Sequence, residues 1–231
     1  MPYMVQNEKL MEQRKLVKTA DGSHTLYVSG LDEHYHSTKG AIQESLHVFI
    51  KNGYEYLNNR KDLHILEVGF GTGLNALLTL FESRKSLAHI KYTAIEKYPL
   101  ALEIVKQLNY ESQLPDTSMS KLLELHNGPW EEWQQLSSRF VIRKLKTDLS
   151  SYKPDEKFDL VYFDAFAPDK QSEMWSEDIF KMVYSGLYDG GILVTYSAKG
   201  LIKRRLRSVG FKVESLSGPP GKREMIRAIK E

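Results

Sequence analysis

One stretch constrains this chain more than any other: an apolar run, LHILEV, breaks at GFGTG and is followed at once by LNALLTLFES. The run from Leu63 to Val68 has the length and composition of a buried strand, and the segment from Leu74 onward carries apolar residues at helical spacing. Three glycines at alternate positions, Gly69, Gly71 and Gly73, let the backbone turn sharply and approach a ligand closely. The helix start just beyond them offers free N–H groups and the positive end of a dipole. Strand, glycine turn and helix in this order open an α/β sheet.

The rest of the chain continues the alternation. IKYTAIEK, FVIRKLKTD, FDLVYFDAF and GGILVTY are further strand candidates. Helices are predicted from Pro99 to about Leu108, from Ser176 to Leu187 and from Lys199 to Val209, with Pro99 at a first turn where its missing N–H costs nothing. The last two strands, FKVESL and REMIRAIK, are joined by SGPPGK, which is too short for a helical crossover, so they should pair antiparallel. The expected architecture is a mainly parallel seven-stranded sheet with an antiparallel last strand, helices on both faces: the element order of class I (Rossmann-like) methyltransferases. Before it, Gly22 to Leu31 looks extended and Ala41 to Leu57 helical, so residues 1–60 are expected to be an N-terminal extension packing on a core of residues 61–231. Glu111 to Ser138, with Trp130 and Trp133, looks like an irregular or helical insertion without an assigned role.

Composition narrows the function classes. The chain has no cysteine, which excludes disulfide scaffolds, thiolate nucleophiles, zinc fingers and iron–sulfur clusters. No run of 18 apolar residues occurs, and Met1 to Lys18 lacks the apolar stretch of a secretory signal, so no membrane role is expected and a soluble, cytoplasmic protein is. The histidines, His34, His36 and His47 among them, show no metal-ligand pattern. Charge is unevenly spread. Ser197 to Glu231 carries ten Lys/Arg against three Asp/Glu, a local +7 within a chain of net +2, leaving −5 for residues 1–196. A basic end on an acidic body suits an anionic partner, although a solvated Lys/Arg-rich face gives the same count.

Four carboxylates fall where such a sheet presents ligands. Glu67 stands two residues before G-x-G-x-G; there it would repel a pyrophosphate but suit a ligand carrying an ammonium or sulfonium, which resembles motif I of S-adenosylmethionine-dependent methyltransferases. A nicotinamide dinucleotide site would instead need G-x-G-x-x-G. Glu96 ends the second strand 27 residues after Gly69 and can accept both ribose hydroxyl protons. Asp148 follows the third strand, where it can accept from an adenine amino group or simply cap a turn. Asp164 closes an apolar strand at the sheet's carboxyl edge, and apolar neighbours raise a carboxylate's proton affinity. Phe166, Pro168 and Trp175 after it can wall a flat acceptor pocket, with ordinary core packing the competing role for Trp175.

LEVGFGTGLNALL, FDAFAPDKQSEMW, TYSAKGLIKRRL and GPPGKREMIRA together resemble the methyltransferase domain of the bifunctional tRNA 5-methylaminomethyl-2-thiouridine biosynthesis enzymes, from about Asp21 to the C-terminus. YHSTKGAIQESLHVFI similarly resembles that family's segment before the sheet, in which Ser37, Gly40 and Glu44 match positions bordering the cofactor pocket. The resemblance implies S-adenosyl-L-methionine as cofactor and methylation of 5-aminomethyl-(2-thio)uridine at the tRNA wobble position. It implies Asp164 as the catalytic contact to the acceptor amine, and tRNA as partner. Lys203, Arg204, Arg205 and Arg207 on a helix with Ile202, Leu206 and Val209 inside, and Lys222 and Arg223 on the last hairpin, are the candidate RNA surface. Unlike the bifunctional proteins, the sequence ends after the final strand, so no FAD-dependent oxidase half, no FAD and no metal are expected. Two alternatives remain open: a transferase acting on a small free amine, akin to polyamine synthases, and a non-catalytic tRNA-binding module.

Overall fold

The computed structural model describes residues 14–57, 59–114 and 120–231. Among them β1 (Arg14–Lys18), β2 (His24–Val28) and β3 (Glu33–His34) form a small antiparallel sheet. The main sheet holds β4 (Asp62–Val68), β5 (His89–Ile95), β6 (Trp133–Ser137), β7 (Phe140–Leu145), β8 (Phe158–Phe163), β9 (Leu187–Thr195), β10 (Phe211–Ser217) and β11 (Glu224–Lys230). Their order is β10-β11-β9-β8-β4-β5-β7-β6. The five central strands, from β9 to β7, are parallel. As expected, β11 runs antiparallel to both β10 and β9. This is the class I methyltransferase arrangement, with eight strands rather than seven.

The extra strand lies in the segment expected to be irregular or helical. That segment contains α5 (Ser120–Asn127) and then β6, which pairs antiparallel with β7. Trp133 and both glutamines of WQQLS face outward or sit half-buried, and only Leu136 is buried, so an edge strand here leaves no alternating apolar signature. Trp133 instead carries Lys91 and Arg143, each cation 4.8 Å from its ring centre.

Strand alternation sorts side chains onto two cores. Leu63 and Ile65 of β4 face one helical layer, which contains Phe49, Leu74 and Leu77. Leu66 and Val68 face the other, which contains Phe180, Ile202 and Leu206. The first layer is built by α1 (Ala41–Ser45), its π-helical continuation Leu46–Tyr54, and α2 (Leu74–Ser83). Gly53 lets that wide helix lie directly on the sheet, since a β-carbon there would meet Val194 at 3.0 Å and Tyr162 at 3.1 Å. Buried residues of the expected extension, such as Leu26, Ala41 and Ile50, belong to the same apolar cluster as Leu63 and Ile65.

The helix expected after Pro99 is short, α3 (Leu102–Val105), and α4 (Tyr110–Gln113) follows it. The second layer is built by α6 (Glu177–Gly186) and α7 (Gly200–Ser208). Ser176 caps α6 by accepting from the Ile179 N–H, with Glu177 and Asp178 in the first turn where the dipole favours acids. No helix among the described residues is long and apolar enough to cross a membrane.

Candidate active site

Strands β4 and β8 are neighbours, but the chain leaves β4 for β5 on the far side. The loops after β4 and β8 therefore part, and open sheets bind ligands in such a crevice. The two loops are fastened to each other and to β5. The Asp164 N–H donates to the Val68 carbonyl (2.9 Å), and the N–H groups of Gly69 and Phe70 both donate to the Ile95 carbonyl. Gly69 has φ 89°, Gly71 49° and Gly73 74°, conformations that favour glycine.

Above these loops lies a cavity of about 470 Å³, bordered by Gly69, Gly71, Glu96, Asp148, Asp164 and Phe166 and closed by Ser37, Glu44 and Tyr35 from the segment before the sheet. Its size suits a nucleoside-sized ligand. Glu96 accepts the Gly71 N–H (2.9 Å) and the Tyr98 N–H (2.7 Å), which fixes its carboxylate at the rim with lone pairs to spare. Asp148 accepts from the Ser150 N–H and pairs with Lys97 at 2.8 Å, so it caps a turn while still bordering the cavity. These hydrogen bonds hold its carboxyl below the usual range, against the opposing effect of burial. Glu44 accepts from the Ser37 N–H at 2.7 Å and from Lys222 at 2.5 Å. Gly73 is set apart: it starts α2, and a β-carbon there would meet His126 at 2.9 Å rather than a ligand.

Asp164 sits half-buried on the cavity wall and accepts from Asn75 Nδ2 at 2.8 Å. Burial pushes its pKa up to about 7, opposed by the Asn75 bond and by Lys222 and reinforced by Glu44. Phe166 meets Tyr35 edge-on at 5.0 Å. Pro168 belongs to an adjoining shallow hollow with Lys199 and Arg223, and this hollow shares Ala167, Tyr196 and Lys222 with the main cavity.

Several expected roles need correction. Glu67 is fully buried inside the sheet and does not border the cavity, because the even alternation of β4 turns it toward the α2 layer. Trp175 is also fully buried, packed on Phe163 at 4.9 Å, and its indole N–H donates to the Phe166 carbonyl (2.8 Å). It braces the loop instead of walling the pocket. Lys222 points inward, onto Glu44 and the Tyr196 ring 3.9 Å away, not onto an outer basic face. Arg205 donates to the Trp175 carbonyl and Lys203 pairs with Glu224 at 2.5 Å, so Arg204, Arg207 and Arg223 are the exposed cations of that group.

Asn75, Tyr35 and Tyr196 were not singled out by sequence reasoning. Asn75 was legible only as the second residue of a helix opening on a ligand loop; Tyr35 and Tyr196 needed the tertiary contact. The inserted segment reaches the site from behind, where His126 Nε2 bonds the Thr72 carbonyl at 3.0 Å and its ring lies 5.0 Å from Phe70. Lys144 donates to the carbonyls of Leu125, His126 and Gly128, which fastens the end of α5. Burial lowers its pKa to about 8. No cluster of potential metal ligands occurs among the described residues.

Comparison with known proteins agrees with this geometry. Residues 121–231 match a family described as S-adenosyl-L-methionine-dependent methyltransferase. The chain is 30% identical, over 92% of its length, to the tRNA 5-methylaminomethyl-2-thiouridine biosynthesis bifunctional protein MnmC of Pseudoalteromonas atlantica. It is 32% identical over 84% of its length to the MnmC of Leptospira interrogans. It spans about a third of the length of these curated relatives, 34% and 32% respectively. The crystal structure of MNMC2 from Aquifex aeolicus superposes with a TM-score of 0.75 at 27% identity, covering 99% of this chain and 76% of that one. Spermidine synthase from Thermotoga maritima shares the fold, with a TM-score of 0.59 at 13% identity over 94% of this chain and 68% of that one. Sheet order, glycine-loop crevice and these likenesses place the chain in the family of MnmC methyltransferase domains, which use S-adenosylmethionine.

Proposed function

We propose that this chain methylates the primary amine of 5-aminomethyl-(2-thio)uridine at the tRNA wobble position, giving 5-methylaminomethyl-(2-thio)uridine. The observation that carries this reading is Asp164: a carboxylate with a pKa of about 7, on a cavity wall, beside an aromatic side chain and an adjoining hollow open to solvent. The residues fit the cofactor. The cradle of Gly69 and Gly71 leaves no room for a β-carbon, since one on Gly71 would meet Tyr35 at 3.0 Å and one on Gly69 would meet Asp164. Glu96 would hold the ribose hydroxyls, Asp148 the adenine amino group, and Ser37 and Glu44 the ammonium of the amino-acid end. S-adenosylmethionine supplies an electrophilic methyl on a sulfonium, and that is its whole part in the chemistry.

The protein's task is then to present an unprotonated amine in line with that methyl. Asp164 attracts the ammonium, accepts its proton, and so frees the lone pair. Phe166 and Tyr35 give the uracil ring an aromatic flank. Arg204, Arg207 and Arg223 face solvent, with Arg223 bordering the adjoining hollow, and suit RNA phosphates. Under this reading, residues 61–231 are the catalytic unit and Tyr35, Ser37 and Glu44 of the segment before it close its pocket, residues 1–13 of the expected extension lying outside the described residues. The test is incubation of hypomodified tRNA with the protein and isotopically methyl-labelled cofactor, followed by nucleoside mass spectrometry. Label in 5-methylaminomethyl-(2-thio)uridine is the expected result. Label only in added polyamines or other free amines would replace this reading with a small-amine transferase.

A further inference from the structure

Glu67 presents a problem that its sequence motif does not predict. It is wholly buried, and neither carboxyl oxygen has a hydrogen-bond partner among the described residues. Two neighbouring polar atoms are orphaned as well, Asn75 Oδ1 and the Tyr92 hydroxyl. Buried polar groups left unpaired in this way cost on the order of 1–3 kcal/mol each, so four together at one spot ask for an explanation. They lie directly behind the site. Asn75, 2% exposed, spends its amide N–H on Asp164. Tyr92 comes from the adjacent strand β5, two residues before Ala94, the partner of Glu67.

One proton resolves the conflict between Glu67 and Asn75, both of which otherwise only accept, while the Tyr92 side chain is close enough to act on the other carboxyl oxygen. As a carboxylate, Glu67 offers only acceptors to the acceptor Asn75 Oδ1, and its charge sits near that of Asp164. As a carboxylic acid it would have an O–H to donate to Asn75 Oδ1 and a carbonyl oxygen able to accept from Tyr92, the two side chains that act on it. The Asn75 amide is then fixed in one orientation, with its NH₂ toward Asp164. We propose that Glu67 is a neutral carboxylic acid that positions Asp164 through Asn75, in the relay Tyr92–Glu67–Asn75–Asp164, and is not a cofactor ligand. The groups facing this relay are Glu96 beyond β5, Tyr162 of β8, Glu44 of α1, Tyr110 of α4, Lys222 of the last hairpin and Tyr196. Burial drives the Glu67 pKa well above the carboxylate range, and the Asp164 charge adds to this against the nearby Tyr92 and Asn75 dipoles.

The proposal rests on the reading of Asp164 as the amine contact, so its test has one arm that needs no turnover. Infrared difference spectra of the whole protein at pH 8 should show a protonated-carboxyl band that survives in Asp164→Asn and disappears in Glu67→Gln. Absence of the band in the wild type overturns the proposal. In the second arm, Glu67→Gln, which reproduces the donor and acceptor of the acid, should bind S-adenosylhomocysteine within about threefold of wild type. A charged ligand to the cofactor ammonium would instead cost about tenfold or more on this change, which is 1.4 kcal/mol per decade, and that loss overturns it too. In the third, Asn75→Ala removes a donor to the Asp164 carboxylate, so the acid limb of the kcat/KM profile should move up by about one pH unit with cofactor affinity retained. An unmoved limb overturns the positioning role. If the infrared band is found but no tRNA methylation is, the proposed reaction fails and the neutral Glu67 stands.

Discussion

A β-carbon on Gly69 would lie 2.6 Å from the carbonyl oxygen of Asp164. The residue that opens the loop proposed to hold the cofactor and the residue proposed to meet the acceptor are thus in backbone contact, and one loop's conformation sets the other's. Gly69→Ala should therefore damage both functions at once. The left-handed φ of 89° and the backbone clash leave no inexpensive relaxation. The expected outcome is a fall in stability of about 2 kcal/mol or more together with loss of cofactor binding, measured by denaturant unfolding and calorimetry.

Asp164→Asn keeps the shape and removes the base, so turnover on hypomodified tRNA should fall by about 10²–10⁴-fold with little change in cofactor affinity. Wild-type activity should rise as pH passes through about 7, where the carboxyl loses its proton. Stability should move the other way. With a folded pKa raised above the ordinary 3.8, the native state binds more protons than the unfolded chain between about pH 4 and 7, so this group's contribution declines as pH rises across that window. Thermal midpoints should show Asp164→Asn gaining on the wild type from pH 5 to pH 8.

The basic helix and the last hairpin separate into exposed cations, proposed to meet RNA, and cations spent on the fold. Arg204→Glu combined with Arg223→Glu should weaken tRNA binding and reduce the slope of log K against log salt by about 1.4–1.8, at roughly 0.7–0.9 per lost phosphate contact. Arg205→Ala should instead lower stability, because it removes the donor to the Trp175 carbonyl. Filter binding at several salt concentrations, beside thermal unfolding, tells the two apart.

Lys144→Met removes the donor to three carbonyls at the end of α5 and should cost about 1–3 kcal/mol. Because His126 of that helix holds the Thr72 carbonyl, cofactor affinity should fall as well. Calorimetry with S-adenosylhomocysteine checks this against wild type.

The sheet was legible because most of its central strands are apolar runs next to glycine or proline turns, β7 by its alternation instead, and because a six-residue connection forces the final reversal. The acidic positions at the strand ends were legible for the same reason: once a strand's last residue is known, the carboxyl edge follows. What remained hidden depends on which face a side chain takes. Glu67 and Asp164 are both acids at strand ends, yet one lies inside the sheet and the other on the cavity wall, a distinction decided by alternation within β4 and by the loop beyond β8. Lys222 counts as surface charge in a composition tally, but the Pro219–Gly221 turn folds it onto Glu44. Trp133 and its strand left no periodic trace because one side of an edge strand needs none.

Trp175 gives the molecule its own optical gauge. Its indole is sealed in the core while its N–H holds the Phe166 carbonyl, so its emission reports directly on whether the 164–168 loop is seated. The chain's other two tryptophans, Trp130 and Trp133, are not sealed, and both sit beside cations. With those two replaced by phenylalanine, a single blue-shifted emitter would remain, and docking of the proposed tRNA acceptor could be timed by fluorescence without labelling either partner.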